Sequence, residues 1–181
     1  MSDVDTQIQK ARTQAGQMRV MSATLIPMLV AAIGLPFIGE IYLVAFEPAP
    51  WAIEVGAVAA ILIKILSYAP AVAAAAAVIV LQPVLVEYHA GRFVSEKASA
   101  AFQLAGLSAL AAFFLKMLVS PLAISLLGGA AFAWRFDPLD IALMVFSASV
   151  MMIGGALAAA VASLKAENDQ IIRCASSSPL M

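Results

Sequence analysis

The sequence predicts an all-α integral membrane protein, a four-helix bundle in a single domain over residues 1–181. Its 181 residues are 64% hydrophobic and 12% charged, whereas a soluble domain is about half apolar and a quarter charged. Four apolar stretches are long enough to cross a bilayer, which takes about 20 helical residues. Helices are expected because the backbone must satisfy its own hydrogen bonds in lipid, and runs such as AVAAAAAVIVL lack the alternation of barrel strands.

The first span is predicted over residues 20–46, directly after a basic N-terminal tail. The apolar run is too long for the core of a secretory signal, and no small-x-small cleavage site closes it. We therefore expect this span to be retained. The tail carries a weak apolar stripe at helical spacing, which indicates either a docking helix or a polar extension of the first span. We favour the extension, because the alanines in the stripe bury little area. The stripe consists of Val4, Ile8, Ala11, Ala15 and Met18.

The second apolar segment, residues 55–86, is too long for one upright helix and is divided by Lys64 and Pro70. We expect an interfacial helix over 51–65, with Trp51 at headgroup level, leading into a span over 66–86. The alternative is one long tilted helix that is kinked at Pro70.

The third and fourth spans are predicted over residues 104–127 and 139–164. Ser95 is placed to cap the helix that leads into the third span, and this lead-in, up to Leu104, is expected to be interfacial. The fourth span carries a series of small residues that favours close helix packing, either inside the bundle or between copies of the chain. The chain should end in a disordered tail over about 175–181. The small-residue series is Gly155, Ala159 and Ser163.

Basic residues lie in alternate loops, and this distribution predicts the orientation in the membrane. The loop over 40–54 has no Lys or Arg, and the loop over 128–138 has only Arg135. Both termini and the middle loop are therefore expected in the cytoplasm. The basic residues on that side are Lys10, Arg12, Arg19, Arg92, Lys97, Lys165 and Arg173.

Lys116 interrupts a run that is otherwise free of charge from residue 98 to residue 133. A lysine at the centre of a span costs about 2.5–3.5 kcal/mol on insertion scales. Its helical face is otherwise small, so we expect it to point into the bundle, near Ser120, with Glu40 as its acidic partner. It is then either an ion, proton or substrate site at mid-membrane, or a structural lysine. We favour the structural role, because transport normally involves several central polar groups. The small residues of that face are Ala105, Ala109, Ala112 and Ser120.

The sequence carries no signature of an enzyme. His89 is the only histidine and Cys174 the only cysteine, so no metal-ligand set is predicted. There is no glycine-rich phosphate loop and no Gly-x-Ser-x-Gly elbow. The net charge of −1 gives no argument for nucleic acid as a direct partner. We therefore expect no catalysis, no cofactor and no bound metal.

Two stretches at the predicted cytoplasmic boundary carry the remaining motifs. The motif of the middle loop, which continues into the third span, consists of Gly91, Phe93, Ser95, Glu96, Ala98 and Gly106. The motif after the fourth span consists of Glu167, Asn168, Asp169 and Ile172. In these residues the chain resembles the bacterial family called domain of unknown function 2975. Val94, Lys97 and Ile171 depart from the family pattern. The resemblance implies four spans in the bacterial inner membrane and a gene neighbourhood shared with small helix-turn-helix regulators.

The leading hypothesis is a non-enzymatic membrane interaction or regulatory protein. The loop motif and the C-terminal motif would face each other at one end of the bundle and hold a cytoplasmic regulator or a second copy of the chain. The alternative is a small transporter or channel that uses Lys116. Both hypotheses place the bilayer around the helices.

Overall fold

The computed structural model describes residues 3–129, 131–132 and 138–176, and all regular elements in these ranges are helical. Short breaks separate several of the helices. The elements are α1 (Asp3–Phe46), α2 (Pro50–Val55), α3 (Ala57–Val80), α4 (Gln82–His89), α5 (Glu96–Phe114), a π-helical segment (Leu115–Val119), α6 (Ser120–Gly128) and α7 (Pro138–Ser176).

The elements combine into four long helical segments. The first is α1, the second is α3 with α4, the third is α5 with the π-helical segment and α6, and the fourth is α7. Each is long and apolar enough to cross a bilayer, so the all-α class and the number of candidate spans are confirmed for the described residues.

The bundle is open. The first segment packs on the second, the second on the third, and the third on the fourth, whereas α1 and α7 share no substantial contact in the described ranges. The N-terminal part of α1, the α4–α5 turn and the C-terminal part of α7 lie at one end, here called the terminal end. The opposite end, with α2, the end of α6 and the start of α7, is called the far end.

The tightest contact joins α5 to α7 through small residues. The Ser99 hydroxyl donates to the Gly154 carbonyl at 2.9 Å, and the Ser147 hydroxyl donates to the Gly106 carbonyl at 2.8 Å. A Cβ atom on Gly106 would lie 2.3 Å from Cγ of Met151. The two hydrogen bonds are seven residues apart on each helix, but their order along the chain is opposite on α5 and α7. The two helices therefore run antiparallel.

Three predictions about the helices need correction. The second segment breaks at Gly56, where φ is +90°, and not near Lys64, so only Pro50–Val55 forms a separate short helix. The lead-in to the third segment is no separate element, because Ser99 already packs on α7. The C-terminal helix continues to Ser176, and the predicted tail beyond it lies outside the described residues.

The structure also bears on two alternatives left open by the sequence, the N-terminal tail and the small-residue series of the fourth span. The N-terminal tail is continuous with the first span in α1, as the extension predicts, although its Ala15 is buried. Gly155, Ala159 and Ser163 are exposed, and nothing lies within 4 Å of a Cβ atom placed on Gly155. The small residue that packs against α5 is its neighbour Gly154, so this series does not serve packing inside the chain.

Candidate functional site

Lys116 forms an ion pair with the first turn of α7. Its Nζ atom lies 2.9 Å from Oδ1 of Asp140, whose side chain is fully buried, while the Lys116 side chain is 30% exposed. A carboxylate in the first turn also interacts favourably with the helix dipole. Asp140 is thus the acidic partner of Lys116.

The predicted pairing of Lys116 with Glu40 is wrong. Glu40 instead lies 2.7 Å from Nζ of Lys64 and links α1 to α3. Lys64 also lies 5.6 Å from the ring centre of Trp51 on α2. The reason is the order of the segments: α1 packs on the second segment and shares no substantial contact with the third in the described ranges.

Ser120 acts on the backbone of α3. A proline has no N–H, so Pro70 leaves the carbonyl of Leu66, four residues earlier, without its helical donor. The Ser120 hydroxyl donates to that carbonyl at 2.9 Å. A neighbouring helix thus supplies the missing hydrogen bond, which is the usual condition for proline inside an apolar helix.

The π-helical segment surrounds Lys116 and has an identifiable cause. Pro121 cannot continue the α-helical hydrogen bonds, and its ring would clash with the carbonyl four residues earlier. The chain widens instead, and the Ser120 N–H bonds to the carbonyl of Leu115, five residues back. Such π-bulges occur frequently at functional sites.

The two far-end ion pairs lie at the boundaries of the apolar stretches. The longest charge-free stretch of each segment measures about 27–36 Å at 1.5 Å per residue. These stretches are 20–39, 65–86, 98–115 and 141–164. At the far end they are bounded by Glu40, Lys64, Lys116 and Asp140, the four residues that form the two pairs. Lys116 lies between two charge-free stretches of the third segment, 98–115 and 117–128, inside a helical segment that is long and apolar enough to cross a membrane.

At the terminal end, the α4–α5 turn is built around Gly91, whose φ of +78° suits glycine. A Cβ atom there would lie 2.0 Å from a guanidinium nitrogen of Arg12 on α1. Beside it, Arg92 donates to both carboxylate oxygens of the buried Glu87, at 2.8 and 3.0 Å. Phe93 stacks obliquely on Tyr88, with ring centres 5.4 Å apart. Gly91 and Phe93 thus serve the shape of the turn and its contact with α1.

Glu96 joins the loop motif to the C-terminal helix. Ser95 caps α5 as predicted, since its side chain accepts a hydrogen bond from the N–H of Ala98. The Lys165 ammonium donates to the Glu96 carboxylate. Both side chains are about two-thirds exposed and lie beyond the predicted spans. This hydrogen bond holds the pKa of Glu96 below its usual range and raises the pKa of Lys165.

The C-terminal motif follows this link directly. Glu167, Asn168 and Asp169 are all exposed on α7, and Asp169 acts on Lys165 only as a weaker neighbouring charge. The two predicted motifs are therefore adjacent, connected through Lys165, and the C-terminal one presents its side chains to the surroundings.

Sequence reasoning missed Asp140, and it treated Lys64 only as an interfacial residue. The available signal was the charged residue at the end of each long apolar stretch, because two of these residues are acidic and two are basic. Within the described ranges, no group of three or more His, Cys, Asp or Glu side chains is arranged to hold a metal ion.

Comparisons with protein-family models, curated proteins and solved structures found no match to this chain. The resemblance to the domain of unknown function 2975 family therefore stays a prediction carried by the two motifs.

Proposed function

We propose that the chain is a bacterial inner-membrane protein whose terminal end binds a cytoplasmic partner, without catalysis. The observation that carries this proposal is the exposed triad Glu167, Asn168 and Asp169 on a helix that packs along α5 and is also joined to it by the Glu96–Lys165 pair. A polar surface held on a rigid element suits recognition of another protein. The partner is a regulator or a second copy of the chain.

The membrane location rests on the four apolar segments and their charged boundaries. A layer of about 27–36 Å matches a hydrocarbon core of about 30 Å. The described residues of the terminal end include Lys10, Arg12, Arg19, Arg92, Lys97 and Lys165, whereas those of the far end include only Lys64 and Lys116. Under the positive-inside rule, the terminal end faces the cytoplasm.

The test is affinity purification of the tagged full-length protein from its own membranes in mild detergent, with mass spectrometry of what is retained. The test variant changes Glu167, Asn168 and Asp169 to alanine. The matched control changes Gln7, Gln9 and Lys10 to alanine, because these residues are also exposed and polar at the terminal end.

A partner that is lost in the test variant and retained in the control supports the proposal. A partner that both variants retain contradicts the role of the triad. A clean homo-oligomer that survives both changes favours the second candidate.

The second candidate is a small transporter or channel that uses Lys116. The specific observation in its favour is the fully buried Asp140 paired with that lysine. It predicts that Lys116→Met abolishes a flux in liposomes while the protein still inserts and folds. Unchanged flux removes this candidate. Its weakness is that transport normally involves several central polar groups.

A further inference from the structure

An apolar groove of about 630 Å³ runs between α1 and α3. Small residues leave it open, since a Cβ atom on Gly34 would have nothing within 4 Å and alanines form much of the α3 wall. Larger apolar side chains form the rim. Its walls include Val30, Gly34 and Phe37 on α1 and Val72, Ala73 and Ala76 on α3.

The groove ends at a charged cluster. It reaches Phe37 and Tyr68, whose rings meet edge to face with centres 5.2 Å apart. Directly beyond them lie Glu40 and Lys64, with side chains 39% and 28% exposed. A carboxylate has about four acceptor sites and an ammonium has three donors, so both ions retain capacity for further hydrogen bonds.

The size of the groove indicates what occupies it. It follows α3 from Ile65 to Ile79, about 21 Å at 1.5 Å per residue. One leaflet of the hydrocarbon core is about 15 Å thick. The groove is therefore long enough to hold one acyl chain along its whole length. The length of the groove suits a lipid chain, and the charged pair at its end suits a charged lipid headgroup.

We infer that the groove binds an outer-leaflet phospholipid with an ethanolamine headgroup. One acyl chain lies between α1 and α3, the lipid ammonium donates to Glu40, and the lipid phosphate accepts from Lys64. The opposite charges of the pair match the opposite charges of this headgroup. Choline has no N–H to donate, and phosphatidylglycerol has no cation for Glu40. The inference rests on the proposed membrane insertion and is independent of a cytoplasmic partner.

The experiment is native mass spectrometry of the full-length protein, purified in mild detergent and titrated with three phospholipids of identical chains. Their headgroups are ethanolamine, choline and glycerol. We expect the ethanolamine lipid to bind most tightly. Glu40→Gln should reduce its preference over the choline lipid by about tenfold, the effect of one charge-assisted hydrogen bond.

A second variant tests the groove itself. Gly34→Leu fills it and should weaken all three lipids several-fold. Gly155→Leu is the matched control, since it is also an exposed helical glycine with nothing within 4 Å of its Cβ atom, far from the groove on α7. It should change none of the three affinities.

Equal affinity for the three headgroups, or a preference for glycerol, overturns the headgroup assignment. Unchanged binding in Gly34→Leu, or a dimer that this variant alone dissociates, overturns the lipid as occupant. Carbonate extraction of membranes, run in parallel, separates these results from failed insertion. Loss of the partner in the purification above leaves the lipid titration unaffected.

Discussion

Replacing Lys116 by methionine should cost more stability than neutralising its partner. The two partners differ in burial: the Asp140 side chain is fully buried, while the Lys116 side chain is 30% exposed. Removing the lysine breaks an ion pair to a buried carboxylate, a change that costs about 3–5 kcal/mol in proteins. Asp140→Asn leaves a lysine that can still extend toward water, and loses a charged contact worth about 1.5–3 kcal/mol.

The assay is a double-mutant cycle on the free energy of unfolding, measured by steric trapping in mild detergent. The third variant combines Lys116→Met with Asp140→Asn, which removes both charges. Because no buried charge then remains, we expect the double variant to be more stable than Lys116→Met alone. The reasoning is refuted if Lys116→Met costs no more than Asp140→Asn, or if the two costs simply add.

Three further predictions concern the packing of the segments, and the same unfolding measurement checks them. Gly106→Ala should destabilise the protein by about 1–3 kcal/mol, because the new methyl group overlaps α7. The control Gly155→Ala should stabilise it by up to about 1 kcal/mol. Equal effects of the two changes would contradict the close α5–α7 contact. Ser120→Ala should cost about 0.6–1.7 kcal/mol through the lost bond to α3. Ser163→Ala, whose hydroxyl bonds only within its own helix, should cost less, and a larger loss in this control would count against the proline repair. Gly91→Ala should cost about 1–2 kcal/mol from its positive φ alone, and a neutral result would show that the turn adapts.

Composition and hydropathy predicted the class and the number of long helices, because both depend on properties that are local in the chain. The same holds for the cap at Ser95 and for the inward face of Ala105, Ala109 and Ala112, all of which are buried. Periodicity distinguishes the two faces of a helix without any knowledge of its neighbours.

The partners of the charged residues could not be predicted in the same way. Pairing Lys116 with Glu40 assumed that the first and third segments touch, and the order of helices in the bundle is not a local property. The start of the third helix was misplaced for a related reason. The span was measured from residue 104, whereas the packed helix begins at Glu96, about 12 Å earlier at 1.5 Å per residue.

The break at Gly56 was hidden for a different reason. The sequence offers Lys64 and Pro70 as more obvious interruptions, yet α3 runs through both. Lys64 is accommodated by its acidic partner, and Pro70 by a hydroxyl from another helix. Tertiary contacts therefore decided which of the three candidate breaks became a real one.

The open order of the bundle has a consequence for how the protein assembles as it is made. Every substantial helix contact joins segments that follow each other in the chain, so contacting residues are close in sequence and the relative contact order is low. A ribosome-bound chain that ends after α6 already holds all contacts among the first three segments. The fourth helix then needs to find only α5, so no early segment has to wait for the last one before it can be packed.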